Sequence, residues 1–151
     1  MLRRFAIKPA LALAALLALG NAASAQVPPN YAAQLAVQLS AVEQTMARQG
    51  FRRVPGTFTG ILPQGGARGY TFTLQAGAEY RVVGVCDRAC GDLDLRLFDQ
   101  GGGLITEDTG PGTVPNVSSI PRWTGRFSVQ ALMPSCGVRS GCYFALNLYA
   151  R

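Results

Sequence analysis

The stretch from Gly60 to Asp99, GILPQGGARGYTFTLQAGAEYRVVGVCDRACGDLDLRLFD, constrains the fold more than any other part of the chain. Runs of alternating apolar residues are separated by Gly-rich breaks, the pattern of consecutive strands in a half-buried antiparallel sheet. The alternation continues to the C-terminus. Candidate strands are Thr57 to Leu62, Tyr70 to Gln75, Glu79 to Cys86, Leu93 to Phe98, Gly103 to Asp108, Val117 to Ile120, Gly125 to Leu132 and Cys142 to Tyr149. About eight short strands at near-regular spacing imply a mainly β fold, two antiparallel sheets packed as a jelly-roll-like β-sandwich. The expected inward faces are Tyr70, Phe72 and Leu74; Leu93, Leu95 and Leu97; Phe127 and Val129; and Phe144, Leu146 and Leu148.

The first residues set the compartment. Arg3, Arg4 and Lys8 form a basic start, Ala10 to Leu19 is apolar, and Ala23-Ser24-Ala25 is a small-residue cleavage site, so residues 1–25 read as an export signal cut after Ala25. The apolar run is too short to span a bilayer, and no membrane span is expected after cleavage. The Arg3-Arg4 pair fits the twin-arginine route and the general one equally. No cysteine stands near the cleavage site to be acylated, since the first is Cys86. The product is therefore expected in the periplasm or outside the cell.

Cleavage also changes the charge. Arg3, Arg4 and Lys8 leave with the leader, so the mature chain keeps 11 bases against 8 acids, a net charge of +3 rather than +6. The remaining arginines are scattered, and nucleic acid is not an expected partner. The 126 residues left suffice for one domain.

Four cysteines lie in two close pairs, Cys86 with Cys90 and Cys136 with Cys142, and in an exported chain an even count reads as disulfides. Zinc ligation by four thiols is the alternative, although metal spacing is usually tighter. Three connectivities are open. The local one is favoured, because each pair brackets a turn between two strand-like runs.

Before the strands, residues 26–55 form an N-terminal segment with a helix over about 31–49. Tyr31, Leu35, Leu39, Val42 and Met46 recur at helical spacing, Asn30 is an N-cap candidate and Gly50 a stop. That stripe is expected to pack on the protein's own sheets, with docking to a partner chain as the other reading.

From residue 56 to 151 the pattern resembles the bacterial pre-peptidase C-terminal domain. The resemblance rests on GYTFTLQAGAEYRVVGVCD, on DLDLRLFDQGG with DLDL at Asp92 to Leu95 and glycines after Asp99, on TGRFSVQALM, and on CYFALNLY. It implies a jelly-roll sandwich of the kind appended to secreted proteases and other exported enzymes. Here no peptidase precedes the module, and the cysteine pairs are not part of the family's usual pattern.

No catalytic constellation is visible. The chain has no histidine, which removes Ser-His and Cys-His dyads and the commonest general base, and the cysteines are spoken for. Asp92 and Asp94 share a face of one strand, opposite Leu93, Leu95 and Leu97; acid/base chemistry by the pair would need one pKa raised, and beside a Gly turn and Arg96 both are expected to be ionised. Together with Asp99, and with Asp87 or Asp108, they make a candidate calcium site if they converge at one end of the sandwich. The other reading is that they form turns. Trp123, between Arg122 and Arg126, either stacks on a ligand such as a sugar ring or closes an end of the core.

The chain thus reads as a non-catalytic exported accessory or binding module that needs no cofactor. Its expected partner is an extracellular or envelope protein or a glycan. A calcium-dependent carbohydrate- or peptide-binding module and a secreted protease inhibitor are the alternatives.

Overall fold

The structure, a computed structural model, describes residues 26–151; the expected export signal and its cleavage site lie outside them. Among the described residues one helix, α1 (Pro29–Arg48), precedes nine strands: β1 (Arg52–Arg53), β2 (Phe58–Leu62), β3 (Ala67–Leu74), β4 (Tyr80–Cys86), β5 (Cys90–Phe98), β6 (Leu104–Asp108), β7 (Asn116–Ser119), β8 (Gly125–Cys136) and β9 (Cys142–Ala150). All pairings are antiparallel. One sheet has the order β1-β9-β4-β7, with β2 beside β1 on the same side of β9, and the other has β3-β8-β5-β6. This is the strand order of a jelly roll, the mainly β sandwich that the alternation implies.

The two inner faces meet in a single large cluster. Leu74 and Phe72 from β3, Leu93, Leu95 and Leu97 from β5, Phe127 and Val129 from β8, and Phe144, Leu146 and Leu148 from β9 all join it. Alternation alone placed these side chains, because in a strand every second residue points the same way.

The strand edges fell less well. β5 begins at Cys90 rather than Leu93, because its first residues pair with the end of β8 through two register shifts, Cys90 opposite Cys136 and Asp92 opposite Ser135. β8 correspondingly runs on to Cys136, and β7 stops at Ser119, leaving Ile120 outside it. β1, two arginines beside Ala150 and Tyr149, was not expected as a strand at all.

α1 lies on the outer face of the β9-containing sheet. Leu35 packs with Val85 and Ala145, flanked by Leu39 and Tyr143, and Met46 packs with Phe51, Val83 and Tyr149. Tyr31 stacks on Tyr143 with ring centroids 4.5 Å apart. The apolar stripe is therefore spent inside the domain, as a third layer over the sandwich.

The start of the helix differs from expectation. Pro28 is the N-cap and Pro29 occupies the first helical position, where its fixed φ suits the helix and its missing N–H costs nothing, so Asn30 lies inside the first turn and caps nothing. The stop is at Gly50, whose φ of +83° closes the helix with Gly50 N–H donating to Ala47 and Phe51 N–H to Met46.

The C-terminus locks both layers. Arg151 and Glu79 exchange backbone hydrogen bonds, and the Arg151 guanidinium donates to Glu79 Oε2 and to the carbonyl of Gln49 at the helix end. Arg81 and Arg151 both lie over the buried Phe51 ring.

Because Leu35 fills the interface between α1 and the sheet, Leu35→Ala is expected to lower unfolding stability by about 2–5 kcal/mol, measured by chemical denaturation of the monomer. Unchanged stability would show that the helix does not pack on its own sheet.

Candidate functional site

Cys86 bonds Cys90 and Cys136 bonds Cys142, and no free cysteine is found among the described residues. The pairing is the local one. Each bridge closes a connection at one end of the sandwich, the first between β4 and β5, the second between β8 and β9. The Cys86–Cys90 loop is further held by its own carboxylate: buried Asp87 accepts from Ala89 N–H through Oδ1 and from Tyr143 N–H through Oδ2. Two glutamines of α1 grip the same loop, Gln38 Nε2 donating to the carbonyl of Cys86 and Gln34 Oε1 accepting from Arg88 N–H. An open groove of about 590 Å³ lies alongside, bordered by Val37, Arg88 and Thr113.

The acidic residues do not converge as one site. Asp99 sits in the β5–β6 turn, at the far end of β5 from Asp92, roughly 20 Å along the strand. Its Oδ1 accepts from the N–H groups of Gly101 and Gly103, so it forms the turn. Asp92 Oδ1 accepts from Gly112 N–H, and Asp108 Oδ2 from Asn116 N–H. No group of three or more metal-ligating side chains placed to hold an ion occurs among the described residues. The calcium set Asp92, Asp94 and Asp99 is corrected to this extent: the strand carries its third member away.

Asp94 is different. It lies on the outer face of the β3-containing sheet, paired with Leu132, yet is only 8% exposed, and its Oδ1 has no hydrogen-bond partner among the described residues. Burial raises its pKa, and the neighbouring Asp92 raises it further; Arg96 pulls the other way, and Asp108 and Glu107 add to the rise. Arg96 is itself paired with Glu107 at 2.9 Å, which limits what it offers Asp94.

Trp123 both closes the core and remains accessible. Its ring stacks on buried Phe127, centroids 6.0 Å apart, while 49% of the residue faces solvent. Gly125 leaves room for the indole: a β-carbon there would come within 3.2 Å of both the indole and the Gln100 side chain, so a larger residue would make one of them give way by a few tenths of an ångström. Ile120, 62% exposed, stands in the same β7–β8 connection. That connection is rigid where it matters, with the Pro121 carbonyl accepting from Gly77 N–H and Thr124 Oγ1 from Ala76 N–H.

Sequence reasoning missed a cleft at the sheet edge. It holds about 390 Å³ and is lined by Gln26 and Val27, by Thr59, Gly60 and Ile61 of β2, by Arg68 of β3 and by Tyr143 of β9. Gly60 is the signal that could have marked it. A β-carbon at Gly60 would stand 2.8 Å from the Phe144 ring and the Tyr70 hydroxyl, so only glycine lets Tyr70 cross from the opposite sheet and donate to the Thr59 carbonyl at 3.0 Å. Burial raises the Tyr70 pKa, and the Arg68 guanidinium beside the hydroxyl offsets part of that rise.

No protein-family model and no curated protein matches the chain. Among solved structures it resembles PliG of Aeromonas hydrophila, described as a periplasmic lysozyme inhibitor of g-type lysozyme, at 16% identity and a TM-score of 0.42, over 67% of this chain and 86% of that one. A likeness of that size bears on neither fold nor function. No helix among the described residues is long and apolar enough to cross a membrane.

The unpaired Asp94 yields a pH test. An acid whose folded pKa is raised penalises the folded state at every pH above that value, and the penalty disappears below the unfolded pKa, near 3.8. Asp94→Asn should therefore raise the melting temperature at pH 7, with the gain shrinking to nothing as the pH falls towards 3. A calcium ion held by Asp92 and Asp94 would reverse the sign, the variant losing whatever stabilisation millimolar calcium confers on the parent.

Proposed function

We propose that this protein is an exported, non-catalytic binding module of the bacterial envelope or exterior, of the pre-peptidase C-terminal type, that engages a protein or glycan through the end of the sandwich carrying Trp123. The observation that carries this reading is the half-exposed indole on a fixed seat. A tryptophan held flat against Phe127, with Ile120 exposed in the same connection, offers a large apolar face whose ordering cost is already met. A sugar ring or an apolar side chain of a partner would stack there, with the Gln100 amide beside it.

The other reactive groups support the same reading. The thiols are joined as disulfides, Asp87, Asp92, Asp99 and Asp108 accept from backbone N–H groups, and histidine is lacking from the sequence. A second reading, a calcium-dependent module, has one observation in its favour, the unpartnered Asp94 Oδ1 beside Asp92.

Trp123 is the chain's one tryptophan, so its emission reports on this surface alone. Titration with a panel of soluble oligosaccharides and secreted hydrolases, with and without chelator, is expected to find a partner that shifts the emission to the blue. Trp123→Ala should weaken that partner at least tenfold. Hydrolase rates in the same panel would reveal inhibition. A partner that binds parent and variant equally, with the emission unmoved, would overturn this assignment of the surface.

A further inference from the structure

The open edge of β2 is a second surface, and its hydrogen-bonding groups can be assigned one by one. In an antiparallel ladder successive residues of a strand turn their N–H and C=O alternately to the two neighbours. Val54 N–H donates to the Leu148 carbonyl, so the even-numbered residues of β9 face β1 and β2, while Arg151 exchanges bonds with Glu79 on the β4 side. The register pairs Phe58 with Leu146, Gly60 with Phe144 and Leu62 with Cys142. Those three residues of β2 therefore bond to β9. Thr59 and Ile61 turn their N–H and C=O groups to the other side, where β2 has no neighbouring strand among the described residues.

Tyr70 takes the Thr59 carbonyl and nothing else on that edge. Thr59 N–H, Ile61 N–H and Ile61 C=O have no partner among the described residues, three of the four groups that an added strand would pair with, the fourth being the carbonyl held by Tyr70. The exposed Arg68 is one of seven arginines among the described residues with no carboxylate within ion-pair distance, and the one of those seven that lines the cleft at this edge. Tyr143 supplies an aromatic wall.

We propose that β2 accepts an extended segment of a partner protein as an additional strand, with an acidic side chain of that segment paired to Arg68. The backbone edge supplies the affinity common to any extended peptide. Arg68 supplies the preference for an acidic one. This surface is separate from the Trp123 end, and the readouts for the two do not overlap.

The test uses the ¹⁵N-labelled protein and two capped pentapeptides, acetyl-Thr-Val-Glu-Val-Thr-amide and its Lys-for-Glu counterpart. With the Glu peptide the Thr59 and Ile61 amide resonances should move and saturate, Ile61 N–H shifting downfield as it gains a bond. The Lys peptide should bind at least fivefold more weakly. Arg68→Gln, an exposed position where folding is not at stake, should erase the difference between the peptides while leaving the residual edge binding. The proposal is overturned if neither amide moves at a hundredfold excess, if Arg68 alone responds, or if parent protein binds the two peptides equally. None of these outcomes touches the Trp123 reading, which stands or falls on its own emission and affinity.

Discussion

Everything in this domain is built around β9. Its even residues send Phe144, Leu146 and Leu148 into the sandwich, and its odd residues send Ala145, Asn147 and Tyr149 under α1, so both faces of one strand are covered. Its backbone is likewise used on both edges, by β4 on one and by β1 and β2 on the other. A slip of one residue would exchange the two faces, placing Asn147 in the sandwich core and Phe144 under the helix. The register is held at both ends, by the Cys136–Cys142 bridge at the start and by the paired backbone bonds of Arg151 and Glu79 at the finish.

That arrangement decides where function can sit. The helix takes one outer face, and its glutamines tie down the Cys86–Cys90 loop, so neither α1 nor that loop is free to rearrange at small cost. The polar groups that look reactive in the sequence are mostly occupied in making connections. What the fold leaves over is an end, where Trp123 is seated but not covered, and an edge, where β2 keeps unpaired backbone groups. Asp94 stands apart as a buried carboxylate with one oxygen, Oδ1, that finds no partner among the described residues.

Much of this was legible in the sequence for a plain reason: alternation and helical spacing are properties of single elements. Leu93, Leu95 and Leu97 announce a half-buried strand, and Leu35 with Met46 announces a stripe, whatever lies opposite. Properties that depend on which strand neighbours which were not legible. Asp92 and Asp99 are close in sequence but lie towards opposite ends of β5, since the residues between them are extended strand. β1 gave no signal because two arginines have no alternation, and the Ala145 and Tyr149 contacts with the helix required knowing that α1 lies on that face. The cap at Pro28 was missed because side-chain capping by Asn30 competes with the fixed backbone of Pro29, and the proline won. The open edge of β2 is the extreme case, since an edge is defined by the strand that is not there.

Amide hydrogen exchange tests this account most directly, because the alternation of bonded and free N–H groups along β2 follows from the β9 register and from nothing else. The account predicts slow exchange at Gly60 and Leu62, which donate to β9, and fast exchange at Thr59 and Ile61 between them in the protein without a partner. Protection of Ile61 equal to that of Gly60 and Leu62 would contradict it, and with it both the placement of β2 at the edge and the surface derived from that placement.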